Sequence, residues 1–195
     1  MKKALCPILL LLILLASCST QDETLSPNTK IHKNSVIRAD YKIPQNLAEL
    51  ESDSEDIVQV KLIRNKEIGK GNNSSITEVE IIKNYKGSFE PGDKVDISEP
   101  WLLTSGEYQA VENYIALEKG QEYILFLSGG HGTDKVSSIT SLGYGKYNKS
   151  LQEQKADMND FNTVGEVQKY DFISGLEAEI IKYQEIKKEM LKTYN

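Results

Sequence analysis

"SITEVEIIKNYKGSFEPGDKVDIS", Ser75 to Ser98, decides how the chain folds. Ile76, Glu78, Glu80 and Ile82 fall on one side of an extended segment. Thr77, Val79, Ile81 and Lys83 fall on the other. Period-two alternation of β-branched residues predicts a strand. Neither side is wholly apolar, so the pattern leaves open which face turns inward. "EPGD", Glu90 to Asp93, is Pro-Gly turn chemistry, and "KVDIS" after it predicts a second strand paired back on the first.

Outward from this hairpin the chain reads as more strands. In "DIVQVKLIRN" from Asp56, Val58, Val60 and Leu62 alternate with Gln59, Lys61 and Ile63. "KEIGKGNNSS" is loop. "NYIALEKGQEYILFLSGG" predicts a strand, a Lys-Gly turn and a strand. Tyr123, Leu125 and Leu127 face one way and Ile124 and Phe126 the other, so that strand is apolar on both sides and central. "KVSSITSLGYGKYN" predicts another hairpin with Gly143 and Gly145 at bends. Trp101 to Asn113 is irregular. "PQNLAELES", Pro44 to Ser52, predicts a short helix with Leu47 and Leu50 on one face. "SGLEAEIIKYQEIKKEMLKTYN" predicts a terminal helix: Ser174 and Glu177 match a capping box, the apolar spacing is helical, and lysines weight its C-terminal half. That helix either closes the barrel's open end or docks a partner. The fold class is thus mainly β, a small barrel or sandwich with an appended C-terminal helix.

The first residues carry an address. Lys2 and Lys3 precede an apolar run from Ala4 to Ala16, too short for a membrane span. The run ends in Leu15-Ala16-Ser17-Cys18, which resembles the lipobox of bacterial lipoproteins. The resemblance implies cleavage before Cys18, lipid acylation of palmitate type on its thiol, and retention on the extracytoplasmic face of a bacterial membrane. A plain secretory leader with an incidental Cys is the alternative. Cys6 would leave with the leader, so the mature chain would hold one Cys and no internal disulfide. Expected divisions are a leader over 1–17, a flexible tether over 18–42, a barrel over 43–150 and a helical extension over 151–195. Loss of Lys2 and Lys3 leaves 21 basic against 29 acidic residues, a net charge of −8. Such a domain is a poor partner for nucleic acid or an anionic membrane face.

Four phrases in order, "SEDIVQVKLI" (Ser54 to Ile63), "EVEIIKNYKGSFEPGDKVDI" (Glu78 to Ile97), "ALEKGQEYILFL" (Ala116 to Leu127) and "SLGYGKY" (Ser141 to Tyr147), resemble exported proteins with a netrin-like domain, the barrel of the tissue inhibitors of metalloproteinases. The resemblance covers residues 47 to 147 and implies a mainly β fold built on a small OB-like barrel. The inhibitors' disulfides and free N-terminal Cys have no counterpart here, so protease inhibition is not carried over.

Chemistry is harder to place. His32 and His131 are the two histidines, and no zinc motif or cofactor motif accompanies them. His32 is expected in the solvated tether and His131 in a Gly-rich loop. Ser128, His131 and Asp134 invite a triad reading, but three residues in one short loop do not place a base between nucleophile and acid. Glu49, Glu51, Asp53, Glu55 and Asp56 lack the spacing of a calcium loop. Trp101, Tyr144, Tyr147 and His131 remain as candidate binding residues, and the catalytic, cofactor and metal categories stay empty. The expected activity is that of a tethered binding or interaction module with a protein or envelope partner. The alternatives are an envelope hydrolase with a carboxylate site and a self-protection lipoprotein that sequesters a toxic peptide.

Overall fold

The computed structural model describes residues 25–34, 37–69, 73–133 and 135–194. Cys18 and the leader lie outside them. Helix α1 (Leu47–Ser52) begins where the Asn46 side chain accepts the Glu49 N–H at 2.9 Å, and it buries Leu47 and Leu50 as their spacing predicts. Strands β1 (Asp56–Glu67), β2 (Ser75–Lys86) and β3 (Lys94–Glu99) form an antiparallel meander. A hairpin of β4 (Trp101–Thr104) and β5 (Glu107–Ala110) follows, then β6 (Glu122–Gly129) and β7 (Val136–Ile139).

Strand β6 pairs antiparallel with β7 on one side and with β1 on the other, and β7 runs parallel to β3. The order β1-β2-β3-β7-β6-β1 therefore closes on itself. It is a mainly β, OB-like five-stranded barrel, and closure leaves its strands without free edges. The β3–β7 seam has three residue pairs, Asp96 with Val136, Ile97 with Ser137 and Ser98 with Ser138, and is the parallel joint of the ring. Register shifts along β1 and β2 let that long pair curl around the core.

Val58, Val60, Leu62, Val79, Ile81, Ile97, Leu125 and Leu127 fill the interior. The ambiguous face of β2 is thereby settled: Ser75, Thr77, Val79 and Ile81 point in, and Ile76, Glu78, Glu80 and Ile82 point out. The two-sided apolar character of β6 also has its reason. Ile57, Ile124 and Phe126 face out and lie under helix α3 (Glu177–Thr193), whose Ile180, Tyr183, Ile186 and Met190 complete a second core with α1. The helix thus covers a wall of the barrel and not its open end.

Other expectations are corrected. The tether does not extend to residue 42. Ile31 is 3% exposed in the main core, and the segment hydrogen-bonds to β5 through His32 N–H to Tyr108 C=O and Tyr108 N–H to Lys30 C=O, both 2.8 Å. Buried apolar contact and paired backbone, not polar composition, decide that this stretch is ordered. Residues 101–113 hold a hairpin where irregular chain was expected. Tyr114 to Leu117 form no strand; their backbone is held by side chains instead. Strand β8 (Lys146–Tyr147) pairs with β6, not with β7. The extension is more than helix: β9 (Gln152–Lys155) and β10 (Tyr170–Ser174) form a parallel pair around a short helix α2 (Val164–Val167). The capping box is also displaced. Ser174 ends β10, donates to Glu179 at 2.6 Å and accepts the Leu176 N–H, while Glu177 opens the helix.

Candidate functional site

Three separated segments meet at one end of the barrel. Asp56 is the first residue of β1, Gly87 and Ser88 follow the last residue of β2, and His131 lies in the loop joining β6 to β7. Asp56 is fully buried, yet its carboxylate is saturated. Oδ1 accepts the Ser88 N–H at 3.1 Å, and Oδ2 lies 2.5 Å from His131 Nε2. On the other side of the imidazole, Nδ1 stands 3.4 Å from Ser88 Oγ. The Phe89 ring stacks on His131 with centroids 4.9 Å apart and an interplanar angle of 29°.

Gly87 makes this convergence possible. Its φ is +98°, and a Cβ there would stand 1.8 Å from Asp56 Oδ1. The glycine of the "YKG" phrase is thus a requirement of the buried carboxylate as well as of the turn.

Beside the stack runs a groove of about 350 Å³ along the outer face of β2 and β3, lined by Glu78, Phe89, Lys94, Asp96, His131 and Lys135 among others. Most of its charges are zipped in pairs. Arg64 donates to Glu78 at 3.0 Å and Lys66 to Asp96 at 2.7 Å. Lys94 and Lys135 form no ion pair among the described residues, so the rim is locally cationic on an acidic protein.

Of the four candidate binding residues, His131 alone reaches this site, and of the acidic group Asp56 alone does. Trp101, Tyr144 and Tyr147 are each 0% exposed and present no binding face. Trp101 packs on Tyr108 inside the barrel, while Tyr144 and Tyr147 pack against Phe172, Phe126 and Tyr183 beneath α3. Large apolar rings gain more from burial than from display, and α3 supplies the cover. Ser128 pairs with Ser138 across the β6–β7 ladder, and Asp134 lies outside the described residues. His32 leaves solvent to meet Glu107 at 3.0 Å. The acidic group disperses: Glu49 and Asp53 share Lys42, Glu51 accepts from the Tyr194 hydroxyl, and Asp56 goes inward. Among the described residues, no three His, Cys, Asp or Glu side chains gather as a metal site.

Two further charged clusters are sealed in the core. Glu99 accepts from Thr77 Oγ1 at 2.5 Å, Leu117 N–H at 2.9 Å and Tyr114 O–H at 3.1 Å. Burial nevertheless raises its pKa, because desolvation outweighs those donors. Asp171 accepts from Lys187 at 2.7 Å and from Tyr183 at 2.8 Å, and Lys146 lies 3.7 Å away over the rings of Tyr123 and Tyr114. Burial lowers the Lys146 pKa, against the pull of Asp171 and Glu99. Both clusters tie the extension and the 114–117 segment to the barrel and open to no groove.

Ser88, Phe89 and the role of Asp56 are not apparent in the sequence. The one signal is an acid set directly before the apolar residues that open a strand, "EDIVQV". Neither the scan of protein-family models nor the search of curated proteins finds a match to this chain.

Proposed function

We propose that this chain is a lipid-anchored, extracytoplasmic binding protein built on a netrin-like barrel, and that it engages its ligand along the β2–β3 face. The observation that carries the reading is the Phe89–His131 stack, fixed from beneath by buried Asp56 and flanked by Lys94 and Lys135. It combines a flat apolar surface, a polar tip and two lysines that make no ion pair among the described residues, on the sheet face and loop that OB-type barrels use for ligands. That use is an analogy of fold, and the residues give it chemical content.

The anchor gives this site an orientation. Leu25 is seven residue steps along the chain from Cys18, a reach of at most about 25 Å. Leu25 N–H donates to Asn65 at 2.8 Å, near the end of β1 opposite to Asp56. A lipid on Cys18 would hold that end near the bilayer and turn the Phe89–His131 end outward. A carboxylate-site hydrolase has less support, since Glu99 and Asp171 are both buried.

The test has two arms. Cys18→Ala is expected to move the protein from the detergent phase to the aqueous phase; unchanged partitioning defeats the anchor. A photo-crosslinking residue at Lys94 is expected to capture one partner, protein or glycan, in cells, where the same probe at Lys188 on α3 does not. Equal capture at both positions removes the groove as the binding face.

A further inference from the structure

We infer that Ser88, His131 and Asp56 form a nucleophilic acyl-transfer site at the mouth of the barrel. Such a site needs a nucleophile, a base in contact with it, and a group that orients the base. All three stand in the right order, Ser88 Oγ to Nδ1 at 3.4 Å and Nε2 to Asp56 Oδ2 at 2.5 Å. The residues come from positions 56, 88 and 131, at the ends of separate elements, as such a constellation usually does. Exposure also grades correctly. The acid is wholly buried, the imidazole side chain is 35% exposed and the serine lies at the surface. A 3.4 Å contact is long, in the way that catalytic hydrogen bonds are often long before substrate arrives.

Asp56 sets the geometry twice. One oxygen holds the backbone of the nucleophile and the other holds the base. With Asp56 accepting at Nε2, the hydrogen resides there and Nδ1 is left as the acceptor facing Ser88. Phe89 fixes the ring plane from its face. Asp56 and Phe89 are thus positioning residues, and Ser88 and His131 are the groups that would touch the reacting atoms.

The step balances without a cofactor. Ser88 Oγ attacks an ester carbonyl and its proton passes to His131 Nδ1. The tetrahedral intermediate expels the alcohol, which takes that proton from His131. Water, deprotonated by the same nitrogen, then attacks the acyl-serine; the Ser88 Oγ–acyl bond breaks, the acid leaves, and His131 returns the proton to Ser88 Oγ. Lys94 and Lys135 on the groove rim favour esters that carry a negative charge.

This activity does not rest on the anchor or on any binding partner, and the experiment keeps them apart. The detergent-solubilised full chain is treated with a fluorophosphonate probe, and the adduct is located by peptide mass spectrometry. Labelling on Ser88 is expected, lost in Ser88→Ala and slowed about 100-fold or more in His131→Ala. Free imidazole is expected to restore labelling in His131→Ala, which a merely structural histidine would not allow. Ser88 lies at the surface and His131 is partly exposed, and circular dichroism checks that both variants keep the fold. No adduct on Ser88, or an adduct that forms as fast in His131→Ala, overturns the proposal.

Discussion

The carboxylate of Asp56, with no exposed surface, lies 2.5 Å from the imidazole of His131, 75 residues further along the chain. This contact ties the start of β1 to the β6–β7 loop at the mouth of the barrel. Replacing Asp56 by Ala would strip the Ser88 N–H and His131 of their acceptor at once and leave a cavity. The expected loss is about 2–4 kcal/mol, the usual scale for breaking a buried, hydrogen-bonded polar group. Urea denaturation checks it, and a loss under about 0.5 kcal/mol, the range of ordinary surface changes, would show that the carboxylate does not hold the site together.

Gly87→Ala tests the same clamp from the other side. A left-handed φ costs a non-glycine residue about 1–3 kcal/mol when it is held there, and the new methyl would also collide with Asp56 Oδ1. Gly92→Ala is the control, because its φ is +95° but nothing lies within 4 Å of its Cβ. We expect the first variant to melt clearly below the second. Equal melting temperatures would assign the whole effect to φ.

Glu99 makes stability depend on pH. Its pKa is raised in the fold, so the folded state holds the proton more tightly than the unfolded chain. Its favourable contribution is fully present below the ordinary value of 4.5 and is lost as pH rises through the folded value. The stability of the wild type relative to Glu99→Gln should therefore fall as pH increases above about 4.5. A difference that is flat or rises with pH, measured by denaturant titration, contradicts the burial term.

Four fully buried tyrosines, Tyr108, Tyr114, Tyr147 and Tyr183, have pKa values raised well above 10.0 by desolvation. Their contribution is intact below the unfolded value and is lost as pH climbs past it. Phenolate absorbance in an alkaline titration should show these rings ionising together with loss of circular dichroism. Ionisation that precedes unfolding would mean that the rings are accessible.

Tyr183 is the keystone between α3 and the barrel wall. It stacks on Phe172 at 4.4 Å and on Tyr147 at 4.8 Å, and its hydroxyl donates between the Lys146 carbonyl and Asp171. Tyr183→Ala should cost about 3–5 kcal/mol, the range for an aromatic removed from a core. Tyr183→Phe should cost about 1 kcal/mol, because Lys187 still satisfies Asp171. Equal losses in the two variants would assign the stabilisation to the hydroxyl.

Some of this was legible in the chain before any coordinates. Alternation in β1, the Pro-Gly turn, the double-sided β6 and the terminal helix are local patterns, and local sterics with one-dimensional periodicity suffice to read them.

By itself, the sequence determined the barrel's strands, the Pro-Gly turn at Gly92, and the amphipathic terminal helix. Tertiary structure alone decided the rest. It buried Trp101, Tyr144 and Tyr147, because a helix more than 30 residues away lies over the two tyrosines and the closed ring surrounds the tryptophan. It docked Ile31, because an apolar gap beside β5 was open to it. It also brought Asp56, Ser88 and His131 together, because barrel closure places the ends of β1, β2 and β6 at one mouth, a relationship that depends on strand order around a ring and has no one-dimensional signature.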